Sequence, residues 1–338
     1  MMPTTKQFAT PFGASLRVSE KAYKRSRLWA QELLPQKYKL YAVTLRRESG
    51  AGMSRQAYSV EMPQMWQSPV VIASPHSGSN YLKTFVSQSV LDAKRLRSSE
   101  DAFVDQLFAV APEFGMPMLT AQMPRAFVDL NRSSGELDPA LIEGVRRRGQ
   151  NPRVASGLGV IPRVVSNGRS IYRGKISMAE AQARIDQYWT PYHAALQQLL
   201  DASHARFGET ILVDCHSMPH EAVEGVSPKR ALRPEIVLGD RFGAAADGWI
   251  VDEIEAAFAE AGFRVARNAP FAGAYITQTY GRPARRQHAI QVEIDRSLYM
   301  DETDITPNAQ FATVKAQLTR ALSRVATLGS DRKPMAAE

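Results

Sequence analysis

From about Ser68 onward, short apolar runs bounded by turn residues alternate with segments of helical spacing, and a chain of that texture folds as an α/β domain. Val70 to Ala73 reads as a buried strand that runs into the loop Ser74-Pro75-His76-Ser77-Gly78. Phe127 to Leu130 reads as a second strand, and Ile211 to Asp214 as a third that ends at His216. From Ala289 to Asp295 the alternation is clean, with Ile290, Val292 and Ile294 on one face and Gln291, Glu293 and Asp295 on the other. One strand therefore carries three polar groups inside a hydrophobic sheet. Helical spacing covers Glu100 to Ala111, Trp249 to Ala261 with a stop at Gly262, and Asn308 to Leu328. Ser177 and Glu180 form a capping box opening a helix toward Tyr188, which Pro191 interrupts before a second stretch reaches Phe207.

No repeat or long linker divides this pattern, so the expectation is one domain over residues 61–330, with 1–60 as an amino-terminal extension and 331–338 as a tail. Net charge separates the same parts. The whole chain carries +8, yet residues 1–60 alone hold 11 Lys/Arg against 3 Asp/Glu, which leaves the remainder neutral. A neutral domain removes most of the case for a nucleic-acid partner. The extension reads as a disordered arm, a targeting segment or sequence upstream of a start at Met53, and these three remain open. No apolar run approaches the roughly 18–20 residues of a membrane span, so no membrane role is expected. The single cysteine, Cys215, excludes an internal disulfide and a cysteine-built zinc site. Metal chemistry here falls to histidines and carboxylates, and the expected compartment is the reducing cytoplasm.

Three polar clusters lie at or near the carboxyl ends of expected strands, where α/β sheets place their sites: His76, His216 and the pair Asn131-Arg132. Either histidine alone is more often structural than a ligand, but two in equivalent positions suit a zinc site of two imidazoles and one carboxylate. Glu100 and Asp101 are the candidate carboxylates. Glu293 is placed to take a proton from a metal-activated water, although alternation alone equally allows an edge-strand carboxylate facing solvent. Arg125 and Arg132 could clamp a substrate carboxylate or stabilise an oxyanion, or each could pair with a nearby acid such as Asp129 or Glu136. His193 and His204 read as surface groups, whereas His220 and His288 could line a pocket. No phosphate-cradling glycine motif occurs, so nucleotide binding is unsupported.

Taken together and in order, the strings SPHSG (74–78), SEDAFVDQLF (99–108), PRAFVDLNR (124–132), LVDCHSMP (212–219), IVLGDRFG (236–243), and AYITQTYGRP followed by HAIQVEIDRSLYMDE (274–302) resemble the N-formylglutamate amidohydrolase family. The resemblance spans about residues 68–325. It implies a zinc-carboxypeptidase-like α/β fold, a single domain whose mixed central sheet is flanked by helices. It also implies one zinc ion, with another divalent metal possible, held by His76, His216 and a carboxylate. That carboxylate does not follow the carboxypeptidase spacing, because Ser79 stands three residues after His76; Asp101 is favoured over Glu100. Glu293 matches the general base and Arg132 the arginine that holds a substrate carboxylate, while Arg125 is expected at the oxyanion and Arg282 at a second carboxylate. The implied activity is hydrolysis of N-formyl-L-glutamate to formate and L-glutamate, a step of histidine degradation. Alternatives are another N-acyl amino acid deacylase or carboxypeptidase-like hydrolase on the same site, and a ligand-binding member without turnover. Because every expected ligand and base position is filled, catalysis on a small N-acyl amino acid is favoured.

Overall fold

A computed structural model describes residues 7–8, 16–17, 56–146, 151–226 and 233–329. The chain divides into one unit over residues 1–53 and another over 54–338. In the first, Gln7–Phe8 pairs antiparallel with Leu16–Arg17; the rest of the extension, with Met53, and the tail 331–338 lie outside the described residues.

The main sheet of the second unit has seven strands among the described residues: β1 (Tyr58–Glu61), β2 (Val70–Ser74), β3 (Met118–Ala121), β4 (Thr210–Met218), β5 (Ile236–Gly239), β6 (Val265–Arg267) and β7 (Gln287–Asp295). Their order in space is β1-β3-β2-β4-β7-β5-β6. The sheet is mixed, since β1 joins β3 and β5 joins β7 antiparallel while the other neighbours run parallel. Both central strands, β4 and β7, are buried along all nine residues, as parallel strands covered on both faces must be.

The two faces are covered differently. Val213, Cys215, Ile290, Val292 and Ile294 point into a core closed by α4 (Gly248–Glu260) and α5 (Phe311–Val325). Val314, Leu318, Ala321, Leu322 and Val325 of α5 are buried at helical spacing and explain its docking. On the opposite face Val71, Ala73, Leu212 and Ala289 meet α3 (Thr190–Phe207) through Ala195, Leu196, Leu199 and Leu200. Alternation puts Asp214, His216, Gln291 and Glu293 on this second face too, further along the strands.

Several local expectations need correction. Phe127 to Leu130 is not a strand: Phe127 and Val128 donate their amides to the Pro124 carbonyl, turning the chain, and the apolar side chains are buried in the second core without joining a ladder. A short apolar run reports burial and not backbone shape. Glu100 to Phe103 is not helical; Phe103 has a left-handed φ of 66°, and α1 (Val104–Phe108) begins after it. Pro191 does not interrupt the helix, because α2 (Met178–Arg184) continues through a π turn over Ile185–Trp189 directly into α3. That wider turn accommodates the missing amide hydrogen. At the start of α2, Ser177 Oγ accepts the Glu180 amide at 3.1 Å, but the Glu180 carboxylate pairs with Arg184 instead of closing the box.

His193 is buried, not a surface group. Its ring lies 2.8 Å from the Tyr280 hydroxyl and 2.9 Å from the Leu130 carbonyl, so α3 braces the turn that carries Asp129, Asn131 and Arg132. Burial pushes its pKa down to about 4, against a weaker upward pull from the Leu130 carbonyl. Between pH 6.5 and 4 the unfolded chain therefore takes up a proton that the folded chain refuses, and stability falls as pH drops through that window. Denaturant titrations of wild type and His193→Gln should show the stability difference between them shrinking from pH 6.5 to 4; a constant difference would contradict the assignment.

Candidate active site

The carboxyl ends of β2 and β4 and two loops bring together the side chains of His76, Asp101 and His216, all buried, with one potential ligand atom from each within 4.8 Å of the others. His76 follows β2 in a loop pressed onto Met123; at Gly78 a Cβ would lie 2.2 Å from the Met123 carbonyl oxygen, so only glycine fits. The Asp101 amide donates to the His76 carbonyl at 3.1 Å and locks the second loop to the first.

Around this cluster the hydrogen bonds have a consistent direction. His76 Nε2 lies 2.7 Å from Asp129 Oδ1, and His216 Nε2 lies 3.0 Å from Asp214 Oδ2. Each imidazole thus has one nitrogen engaged by a carboxylate, which orients the other toward the shared centre. His76 Nδ1 has no hydrogen-bond partner although it is buried, and stands 3.5 Å from Asp101 Oδ2; His216 Nδ1 stands 2.9 Å from the same oxygen. Two imidazole nitrogens and one carboxylate oxygen converging, each ring backed by a second acid, is a donor set that suits a divalent transition metal. These residues fit the ion that the sequence led us to expect.

Electrostatics favour the charged form of Asp101. Burial alone would raise the Asp101 pKa, but contacts with His216 and His76 and the Arg125 guanidinium outweigh it and hold the carboxyl well below its usual range. Arg296 Nη2, 2.9 Å from Asp101 Oδ1, completes its surroundings. His216 in the metal-free protein is held protonated well above the usual histidine range; burial opposes this, and Asp214 and Asp101 overcome it. A metal at this ring would have to displace that proton.

Glu293 pairs with His216 across the β4–β7 ladder and projects on the same face. It is no edge residue: β7 is an inner strand and the side chain is buried. Burial raises its pKa to about 7, with Asp101 adding to the rise while His216, Arg125 and a bond from Gln291 Nε2 at 2.7 Å pull it back. A carboxyl poised near neutrality can both accept and return a proton.

Arg125 lies at the rim of the cluster, 3.0 Å from Asp129 Oδ2 and 3.6 Å from Asp101 Oδ1, so it pairs with Asp129 and faces the cluster at once. Asn131 approaches His216 Nε2 at 3.2 Å and receives the Ile276 amide on its Oδ1 at 2.8 Å. Arg132 spends Nε on the Leu158 carbonyl and Nη1 on the Asn131 carbonyl. Both Asn131 and Arg132 border a cavity of about 340 Å³ whose other walls include Arg153, Arg241 and Tyr275.

Other expected site residues are not brought here. Glu100 is held by Arg97 at 2.9 and 3.0 Å and by the Tyr81 hydroxyl at 3.0 Å. His288 and Arg282 belong to the opposite end of the sheet: His288 is paired in register with Ile211, five residues before Glu293, and contacts Glu209 at 3.4 Å. Arg282 bridges to Gln287 at the start of β7. His220 is bound by Asp295 at 2.8 Å just beyond the cluster. Reasoning from sequence missed Asp214, Gln291 as a contact of Glu293, and Arg296. Asp214 carried a usable signal, since two residues before His216 on a strand means the same face. Asp214→Asn should weaken metal binding about 10–100-fold without unfolding the domain, as competition with a chromophoric chelator would measure. Unchanged affinity would remove Asp214 from the metal's support.

Comparisons with known proteins agree on one family. A family model described as N-formylglutamate amidohydrolase matches residues 68–300. A Pseudomonas aeruginosa protein named N-formylglutamate deformylase is 32% identical over 260 residues, which cover 76% of this chain and 90% of that protein. A protein of the same name from Pseudomonas putida is 29% identical over 239 residues, 70% of this chain and 83% of that one. The crystal structure of an N-formylglutamate amidohydrolase from Ralstonia eutropha superposes with a TM-score of 0.75 at 37% identity, covering 80% of this chain and 97% of that chain.

Proposed function

The chain belongs to the N-formylglutamate amidohydrolase family, and from that premise we propose that it is a zinc-dependent hydrolase cleaving N-formyl-L-glutamate to formate and L-glutamate. The observation that carries the metal assignment is the buried, unpartnered Nδ1 of His76 facing Asp101 and His216. Held by those three side chains, the ion would polarise a water molecule and the scissile carbonyl.

The remaining chemistry belongs to side chains of this protein. Glu293 accepts the proton of the attacking water and returns it to the leaving nitrogen, a double duty its pKa of about 7 allows. Arg125 meets the oxygen on which negative charge develops. Arg132, whose Nη2 has no hydrogen-bond partner among the described residues, takes a substrate carboxylate, and Asn131 fixes the turn that presents it. No helix among the described residues is long and apolar enough to cross a membrane. We place the enzyme in the cytoplasm, within histidine degradation.

Formate release from N-formyl-L-glutamate by zinc-loaded protein, with and without chelator, tests the proposal. Turnover that the chelator abolishes and zinc restores is expected. Turnover of N-acetyl-L-glutamate or a peptide in place of the formyl compound would overturn the substrate, and chelator-resistant turnover would overturn the metal.

A further inference from the structure

We propose that Arg241 and Arg153 receive the side-chain carboxylate of an acidic N-acyl amino acid, leaving Arg132 for the α-carboxylate; the assignment rests on the amidohydrolase reading above. The three guanidinium groups border one cavity, in which Glu136 is the single acid among the described residues. Glu136 is already committed, its Oε1 to the Ser133 amide at 3.0 Å and its Oε2 to Asn151 Nδ2 at 3.2 Å. Among the described residues neither Arg153 nor Arg241 has an ion-pair or hydrogen-bond partner for its side chain.

The loop after β5 explains why Arg241 stays unpaired. Its acidic neighbour Asp240 is occupied, with Oδ1 accepting Asn268 Nδ2 at 2.6 Å and Oδ2 accepting the Gly243 amide at 3.0 Å. Arg241 itself adopts a left-handed φ of 57°, and its amide is tied to the Ala272 carbonyl at 2.8 Å. At Gly273 a Cβ would lie 3.3 Å from Arg241 Cγ and 2.5 Å from Thr277 Oγ1, so glycine leaves room for the arginine stem to lie against this loop. A left-handed backbone on a residue with a side chain costs free energy, and here its effect is to hold a free guanidinium at the cavity wall.

The cavity adjoins the catalytic cluster. Asn131 belongs to both, and the Ala274 amide in the cavity wall donates to Gln291 Oε1 at 3.0 Å while Gln291 Nε2 donates to Glu293. A substrate with its acyl group at Glu293 and a carboxylate on Arg132 would thus extend its side chain toward Arg241 and Arg153. An excess of guanidinium over carboxylate suits a dianion, and a neutral side chain would leave these cations uncompensated.

The test compares kcat/KM for N-formyl-L-glutamate and its neutral isostere N-formyl-L-glutamine in wild type, Arg241→Gln, Arg153→Gln and Arg241→Lys. Wild type should prefer the diacid, and each glutamine variant should reduce that preference about tenfold or more through KM for the diacid. Arg241→Lys should recover part of it, which separates charge recognition from misfolding. An unchanged preference in the glutamine variants, or equal losses on both substrates, would overturn the assignment. Wild type cleaving both compounds equally would overturn it while leaving the amidohydrolase reading intact; wild type cleaving neither would overturn that reading and the assignment with it.

Discussion

Glu293→Gln is expected to bind metal like the wild type and to lose turnover by a factor between about 10² and 10⁴, the usual worth of a positioned general acid–base. The substitution is nearly isosteric, and the side chain lies in a cluster where an amide can still accept the Gln291 Nε2 bond. What disappears is the ability to take a proton and give it back. Metal content by atomic spectroscopy together with kcat separates the two effects, and retained turnover with intact metal would end the base assignment. The pH profile carries a second signature. Glu293 titrates near 7 without metal, and a dication nearby favours the carboxylate. The acid limb of kcat/KM in the loaded enzyme should therefore lie below pH 7, with activity rising as pH rises through it.

Asp101→Asn is expected to be more damaging to the site as a whole. Its two oxygens serve four neighbours: Oδ2 faces His216 and His76, and Oδ1 faces Arg296 and Arg125. An asparagine supplies a weaker ligand and removes the one negative charge between two guanidinium groups, of which Arg296 is buried. Breaking a buried pair from one side costs about 3–5 kcal/mol, because the partner is left charged and dry. Metal affinity should fall by more than about 10²-fold, beyond the loss expected for a residue that only supports a ligand. Glu100→Gln is the natural control, since Glu100 serves Arg97 and Tyr81 and not the cluster. Calorimetric titration of zinc into both variants distinguishes the adjacent acids; loss of binding in Glu100→Gln and not in Asp101→Asn would reverse the ligand assignment.

Strand alternation made the central part of this site legible in the sequence. Ile290, Val292 and Ile294 announce a buried face, and Glu293 must then lie on the other; His216 was legible by a different signal, its place at the end of an apolar run that reads as a strand. What alternation could not show is the strand's place in the sheet, so Glu293 remained compatible with an exposed edge until β5 was seen covering β7. Residues outside the strands were harder. Asp101 sits in a non-helical turn that helical spacing disguised, and Asp129 belongs to a turn that resembled a strand. His288 and Arg282 were misplaced for a simpler reason: nearness to a functional strand in sequence says nothing about which end of it they occupy, and the site lies at the carboxyl end. Arg241 was hidden altogether, because the feature that presents it is a left-handed backbone pinned by Asn268 and Ala272, contacts between segments far apart in the chain.

The direct pairing of His216 with Glu293 has a consequence for how such a protein can change. Strand spacing acts as a fixed ruler of about 4.8 Å between the two positions, and side chains alternate, so sliding either strand by one residue would turn its active member toward the opposite core. The distance between His216 and Glu293 is therefore closed to gradual adjustment. The short helix Pro152–Ala155 that carries Arg153 and the loop that carries Arg241 have no such indexing and can change residues one at a time. On the proposed reading, a protein on this frame could change which acids it accepts while the pairing of His216 with Glu293 stays still.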